Sequence, residues 1–227
     1  MGTPDISPLW VSAKVALVAA VLVLVLGTIA AWRLARSNFR GKALLETILT
    51  LPLILPPTVV GYYLLVVFGR GTAWGRWLND FAGIRVLFTW EGAAIAAAIM
   101  SFPLMVKTAA AAMESIEREY IETARTSGAT EWQIFRHVYI PLSYKGILAG
   151  AVLAFARGLG EFGATLMVAG NIPGRTQTLP LALYNAVQSG NDNAALLYTI
   201  ILTITGFAIL WGVQQYQQYL STARAEK

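Results

Sequence analysis

Arg157 and Glu161 stand four residues apart in a stretch, Gly146 to Gly170, that carries no other charge. On a helix that spacing puts a cation and a carboxylate on one face. Ionisable groups in an apolar span are costly unless they pair or meet water, so the pair either fixes helix packing or faces something charged. Gly158-Leu-Gly-Glu-Phe-Gly163 overlaps it and satisfies Gly-x-Gly-x-x-Gly, the phosphate turn of dinucleotide-binding folds. No strand pattern precedes it, and the reading is close packing of small residues between helices. With no cysteine and one histidine, His137, the chain alone makes no thiolate nucleophile, no disulfide and no zinc or haem site. It has no Gly-x-Ser-Gly and no Walker A glycine-lysine loop, so neither an intramembrane protease nor an ATPase can be assembled from it.

The elements that must hold these residues are membrane helices. Charged residues make up 13% of the 227, about half the usual share of roughly 25% in soluble domains. The apolar excess divides into about five spans, an all-α polytopic pattern in a single domain over residues 1–227: residues 11–32, 46–69, 92–113, 146–170 and 194–213. The uncharged part of the first, Val15 to Trp32, is preceded by Asp5 and Lys14 and followed by Arg33, Arg36, Arg40 and Lys42, the reverse of a secretory signal, so it reads as a retained helix. The second contains Pro52, Pro56 and Pro57 and is expected to be kinked or locally unwound. Pro56, Pro57 and Gly61 either let it bend as a gate or shape a static bundle. Arg70 to Trp90 reads as an exposed connection with interfacial aromatics. Leu181 to Gln188 reads as a short surface or shallow re-entrant helix, since eight residues reach only about 12 Å. Ser101, Thr165 and Gln188 are isolated polar groups, and such groups usually bond a neighbouring backbone.

Basic residues set the orientation. Arg33, Arg36, Arg40, Lys42, Lys107, Arg118, Arg125, Arg136, Lys145, Arg224 and Lys227 fall on one side, and Lys14, Arg70, Arg76, Arg85 and Arg175 on the other. The bias predicts an external N-terminus and a cytoplasmic C-terminus. It also argues against nucleic acid, because no basic stripe is interleaved with aromatics.

The longest inner segment, residues 114–141, is too charged for hydrocarbon. Ile116, Tyr120, Ile121 and Ala124 recur at helical spacing, ending near Ser127 with Gly128 suited to a left-handed turn. Thr130 and Gln133 read as the capping box of a second helix, with Trp132, Phe135 and His137 or Val138 on its apolar edge, and Pro141 as the start of the next membrane helix. Two short helices at a bilayer face present a docking surface to something soluble.

Glu122-Thr-Ala124, then Gly128, then Val138-x-Ile140-Pro141 resembles the EAA loop of importer-type ABC transporter permeases. The usual form there is Glu-Ala-Ala-x3-Gly-x9-Ile-x-Leu-Pro, so Thr123, Val138 and Ile140 depart from it conservatively. Leu51 to Gly61, Phe155 to Thr165 and Gly170 to Pro180 are similar to the molybdate-type branch of that family. The resemblance implies that the loop, through Glu122, Ala124, Gly128 and Pro141, docks on a dimer of ATPase subunits. It also implies an oxyanion-binding protein outside, a second permease copy and a path for a dianion. Nucleotide and magnesium would sit on the ATPase, with no cofactor on this chain. Pro56, Pro57, Gly61, Arg157, Glu161 and Thr165 are the pathway and gate candidates, with Arg157 attracting the anion and Glu161 keeping that attraction weak. Tungstate and sulfate permeases share the architecture. A self-contained channel or secondary carrier is the reading from another class, and it leaves the loop without a purpose.

Overall fold

The structure, a computed structural model, describes residues 5–36, 40–81, 83 and 85–225, the last ten by their backbone. Lys227, counted above among the inner basic residues, lies outside them. Among the described residues the chain is all helix, with no strand.

Three long helices form the centre: α1 (Ser7–Arg36), α5 (Trp90–Glu114) and α8 (Ile140–Leu159), each packed on the other two. Lipid tails offer no hydrophobic drive for helix association, so contact depends on small residues that let backbones approach. Ala16, Ala19 and Ala31 on α1, Ala93, Ala97 and Ala109 on α5, and Gly150 and Ala154 on α8 are the buried points of contact. Met105 of α5, fully buried, fills the space left by two glycines: a Cβ on Gly27 would lie 2.7 Å from its Cγ, and one on Gly150 2.8 Å from its sulfur. More than half of the apolar window of α5 is buried (56%), against 6% for α11 (Asp192–Ala225), so α11 is an outer helix whose Leu196, Ile204 and Phe207 face outward.

The second span is not one helix. The helical run Lys42–Leu53 and α3 (Pro57–Phe68) meet at 108°. α2 (Lys42–Thr50) passes into a 3-10 turn, Leu51–Leu53. Pro56 then takes an extended conformation, ψ 134°, because the ring of Pro57 disfavours the helical region for the residue before it. The connection to α5 carries the short helix α4 (Ala73–Arg76) and a π turn, Trp77–Phe81, with Trp74 stacked on Trp77.

The fourth span also differs from the uniform helix expected over 146–170. It begins earlier, because the helix is continuous from Glu131 to Leu159. Pro141 therefore lies within a helix and does not start one. The preceding turn, Phe135–Tyr139, is a π turn, and such a bulge shifts the ladder where proline supplies no donor. The span ends earlier too, at Leu159, and α9 (Gly163–Ala169) follows as a separate short helix.

The predicted short helix is α10 (Leu179–Gln188), with one face packed on its neighbours and Tyr184 and Val187 exposed on the other. Leu179, Ala182 and Ala186 are buried with Tyr198 of α11. The Leu179 N–H donates to Ser12 Oγ at 2.7 Å, and the Tyr198 hydroxyl donates to the Asp5 carbonyl at 2.9 Å. These bonds tie α10 and α11 to the start of α1. There the Asp5 carboxylate accepts from the Ser7 hydroxyl and N–H, which holds it below its ordinary pKa.

Small-residue packing makes a prediction. A Cβ on Gly146 would collide with the methyl of Ala112, which has no torsion to relieve it, whereas Gly206 of α11 has nothing within 4 Å. Gly146→Val is expected to lower stability by about 1–3 kcal/mol, seen as an earlier thermal transition in detergent. Gly206→Ala should leave the transition unchanged or raise it.

Candidate functional site

At one end of the molecule the charged segment folds into a helical hairpin. Its first limb is α6 (Arg118–Thr126), its second α7 (Glu131–Ile134) continuing into α8. Gly128 has φ +82°, and a Cβ placed on it would meet no atom, so backbone conformation and not space demands glycine there. Its N–H bonds the Arg125 carbonyl at 3.1 Å and the Ala129 N–H bonds the Ala124 carbonyl at 3.1 Å. That is a Schellman closure, which satisfies the orphan carbonyls of α6. Ala124 thus supplies the closing acceptor and a small side chain against the core. Thr130 and Gln133 form the expected capping box, with Thr130 N to Gln133 Oε1 at 2.7 Å.

Ile116, Ile121 and Ala124 pack against the core as their spacing predicts, but Tyr120 is exposed. On the second limb Ile134 and Phe135 are buried, while Trp132 (60% exposed) and His137 face out. Glu122 is exposed in a cleft of about 460 Å³ that it shares with Arg36, Lys42 and Arg125. Pro141 is exposed on the flank of α8.

The residues that tie this hairpin to the bundle are not evident from local pattern. Trp32 of α1 packs on Phe135, ring centroids 4.6 Å apart, and Phe135 on Trp132 at 5.2 Å. Glu131 lies between two arginines: Arg125 Nη2 is 3.0 Å from one oxygen and Arg36 Nε is 3.2 Å from the other. Helix-end charges beside Trp32 and Phe135 are the signal that the sequence offers, but the pairing joins residues about a hundred positions apart.

The pathway candidates gather farther along. α8 ends at Gly160, and Glu161 stands in the break before α9, so the Arg157 and Glu161 pair does not lie on one helix as expected. It forms nonetheless, with Arg157 Nη1 2.8 Å from Glu161 Oε2, in close but poorly aligned contact. The other Glu161 oxygen accepts from the Ala164 N–H at 2.9 Å, satisfying an orphan donor of α9. Glu161 is 2% exposed, and Arg157 keeps part of its guanidinium open.

Pro57 and Gly61 of α3 pack on α9. A Cβ on Gly61 would sit 2.7 Å from Met167 Cβ and 2.9 Å from Ala164 Cα, and one on Gly163 3.0 Å from Pro57 Cβ. Of the glycine-rich string only Gly163 is tightly packed, since a Cβ on Gly158 or Gly160 would meet nothing closer than 3.7 Å. Ser101 bonds the Ala97 carbonyl at 2.7 Å. Thr165 departs from that rule, being fully buried with a hydroxyl that finds no hydrogen-bond partner among the described residues. At the far end of α9 the Phe88 N–H bonds the Val168 carbonyl at 2.9 Å, with Phe88 itself at φ +58°.

Residues 23–221 match the family model of binding-protein-dependent transport system inner membrane components. The chain belongs to this family. It is 44% identical over 224 residues to the molybdenum transport system permease protein ModB of Escherichia coli, covering 98% of this chain and 97% of that one. It is 43% identical over 204 residues to ModB of Haemophilus influenzae, covering 88% and 89%. Among solved structures it is similar to a bacterial ABC transporter involved in alginate import, with a TM-score of 0.76, 14% identity, and coverage of 96% of this chain and 80% of that one; this last likeness shows the fold.

The permease is thus a multi-pass inner-membrane component without catalysis of its own, ATP hydrolysis being the work of a separate subunit. Its hairpin carries Glu122, Ala124 and Gly128, the residues that resemble an EAA loop. Glu161 has the structural position of a capping and pairing group. Arg157→Gln leaves that carboxylate buried and unpaired, and should cost about 3–5 kcal/mol; Arg157→Gln with Glu161→Gln should recover most of the loss, as measured by thermal unfolding of the purified permease.

Proposed function

We propose that the permease passes molybdate across the cytoplasmic membrane, receiving it from an external oxyanion-binding protein and driven by two ATPase subunits on the hairpin side. The observation that carries the reading is the near-full-length likeness to two molybdenum permeases, on a fold whose docking hairpin leads through a π turn into a membrane helix. Two copies of the chain would enclose the path between them, since the exposed apolar faces of α2, α3 and α11 leave one copy open to lipid on most sides. Orientation follows the basic residues, with the hairpin inside and the Asp5, α10 and Phe88 end outside.

In this mechanism the chain does no covalent work. ATP-driven closure of the ATPase pair draws two hairpins together. Glu122 meets the ATPase surface, while the Ala124–Gly128 closure and the Thr130 cap keep the hairpin rigid enough to move as a body. The motion travels along the continuous helix from Glu131 to Leu159, about 43 Å at roughly 1.5 Å per residue. It ends at the break held by Arg157 and Glu161. Displacing that break shifts α9 and the α3 segment packed on it through Pro57 and Gly61, which serve as the gate. Both faces of the gate are glycine-lined, so a small slide changes contact sharply. Arg157 offers one positive group to a dianion, and Glu161 moderates it, so that binding stays weak enough for release.

Uptake of radiolabelled molybdate by cells lacking the chain and by cells with it restored tests the substrate. The expected result is restored uptake that tungstate suppresses at comparable concentration and that sulfate suppresses only at large excess. Suppression by sulfate as effective as by tungstate would reassign the permease to sulfate. Uptake without any ATPase subunit would make it a self-contained carrier.

Gly128→Val places a β-branched residue in the left-handed region at a cost of about 1–2 kcal/mol. The variant is expected to insert normally and to lose transport per ATP hydrolysed in reconstituted vesicles.

A further inference from the structure

The chain joins the hairpin to α5 through residues 115–117 and to α8 through the π turn Phe135–Tyr139, where the regular hydrogen-bond ladder is interrupted. A load applied to the hairpin could be absorbed at that turn by rotation. α1 has no such direct chain connection and meets the hairpin through side chains. Arg36 lies in the last turn of α1, Arg125 in the last turn of α6, and Glu131 in the first turn of α7. Each charge sits at the helix end whose dipole favours it, and the three ends meet at one carboxylate. One Glu131 oxygen takes Arg125, at 3.0 Å from Nη2 and 3.2 Å from Nε; the other lies 3.2 Å from Arg36 Nε. The side chains are only partly exposed, 35% for Glu131 and 29% for Arg36, so solvent does not screen the contact fully. Trp32 stacks on Phe135 beside it, with the Arg36 guanidinium 5.2 Å from the Trp32 ring.

We infer that Glu131 is a positioning residue for coupling, the link that makes α1 move with the docking hairpin. α1 packs along α5 and α8, and its far end holds α10 and α11 through Ser12 and Asp5. Through Glu131 the hairpin therefore drives both membrane helices that flank α5, and the outer elements follow α1. Without this link α1 is held to the hairpin by apolar packing alone, Trp32 on Phe135. Glu131 acts through Arg36 and touches neither the transported ion nor nucleotide. The inference rests on the ABC permease reading above.

The test uses the full complex, with ATPase subunits and binding protein, reconstituted in vesicles, and reads radiolabelled molybdate taken up per ATP hydrolysed together with the amount of ATPase retained by the permease. Glu131→Gln is expected to lower the ratio about two- to fivefold with the ATPase retained in full. Arg36→Gln should give a similar loss, and the two together no further loss, since they break one link. Glu131→Asp, which keeps the charge on a shorter arm, should recover part of the ratio. A wild-type ratio in Glu131→Gln overturns the inference. So does a wild-type ratio in Arg36→Gln, or a loss from Glu131→Gln that tracks loss of bound ATPase. Absence of ATP-dependent uptake by the wild-type complex would instead sink the permease reading.

Discussion

A backbone amide that leaves a helix within a bilayer has no water to bond, and must find its partner in the protein. This permease interrupts its helices at Pro56, at Gly160 and beyond Gly170, and the rest of the structure is arranged around satisfying those breaks. Glu161 takes the Ala164 N–H, a free donor in the first turn of α9. The Phe88 N–H takes the Val168 carbonyl at the other end of that helix, from a backbone conformation that few non-glycine residues adopt. In the turn after α9 the Ile172 carbonyl receives the N–H groups of Arg175, Thr176 and Gln177, and Ser12 closes the start of α10. Gly163 at the second break packs on Pro57 at the first, and Phe162 packs on Tyr184 of α10, so the breaks at Pro56 and Gly160 share one layer with α3 and α9.

The opposite end of the molecule solves a different problem. There water satisfies the backbone, and what must be secured is rigidity. The hairpin obtains it from a Schellman closure at Gly128, a capping box at Thr130 and a shared carboxylate at Glu131. A helical run with one π turn joins the two ends, and glycines at 146 and 150 allow α5 to seat closely against it. The division of labour is physical: a stiff polar hairpin collects displacement, close-packed small residues carry it, and a broken layer yields to it.

Much of this is legible in order along the chain. Local rules place the Gly128 turn and the Thr130 cap, because each depends on residues within five positions. Hydropathy locates the long helices, and three prolines announce the break at residue 56. The failures have a common cause. Pattern alone has Pro141 begin a helix, and it sits inside one, because a π turn absorbs the missing donor. Spacing puts Glu161 on a helix with Arg157, yet the helix stops between them. Length alone leaves α10 a surface or shallow re-entrant helix, and only packing shows that Leu179 and Ala182 are buried with Tyr198 of α11. Thr165 is expected to bond its own backbone, and its hydroxyl does not.

Composition and periodicity alone established an all-helical membrane chain of about five spans, its charged hairpin and the pair left in mid-span, because transfer of charge into hydrocarbon is unfavourable whatever the fold. Tertiary structure alone decided where the spans break, that Gly61 meets Ala164 and Met167, and that Glu131 joins Arg36 to Arg125. Those contacts connect residues far apart in the chain, and their energies exist only when packing has brought the partners within a few ångströms.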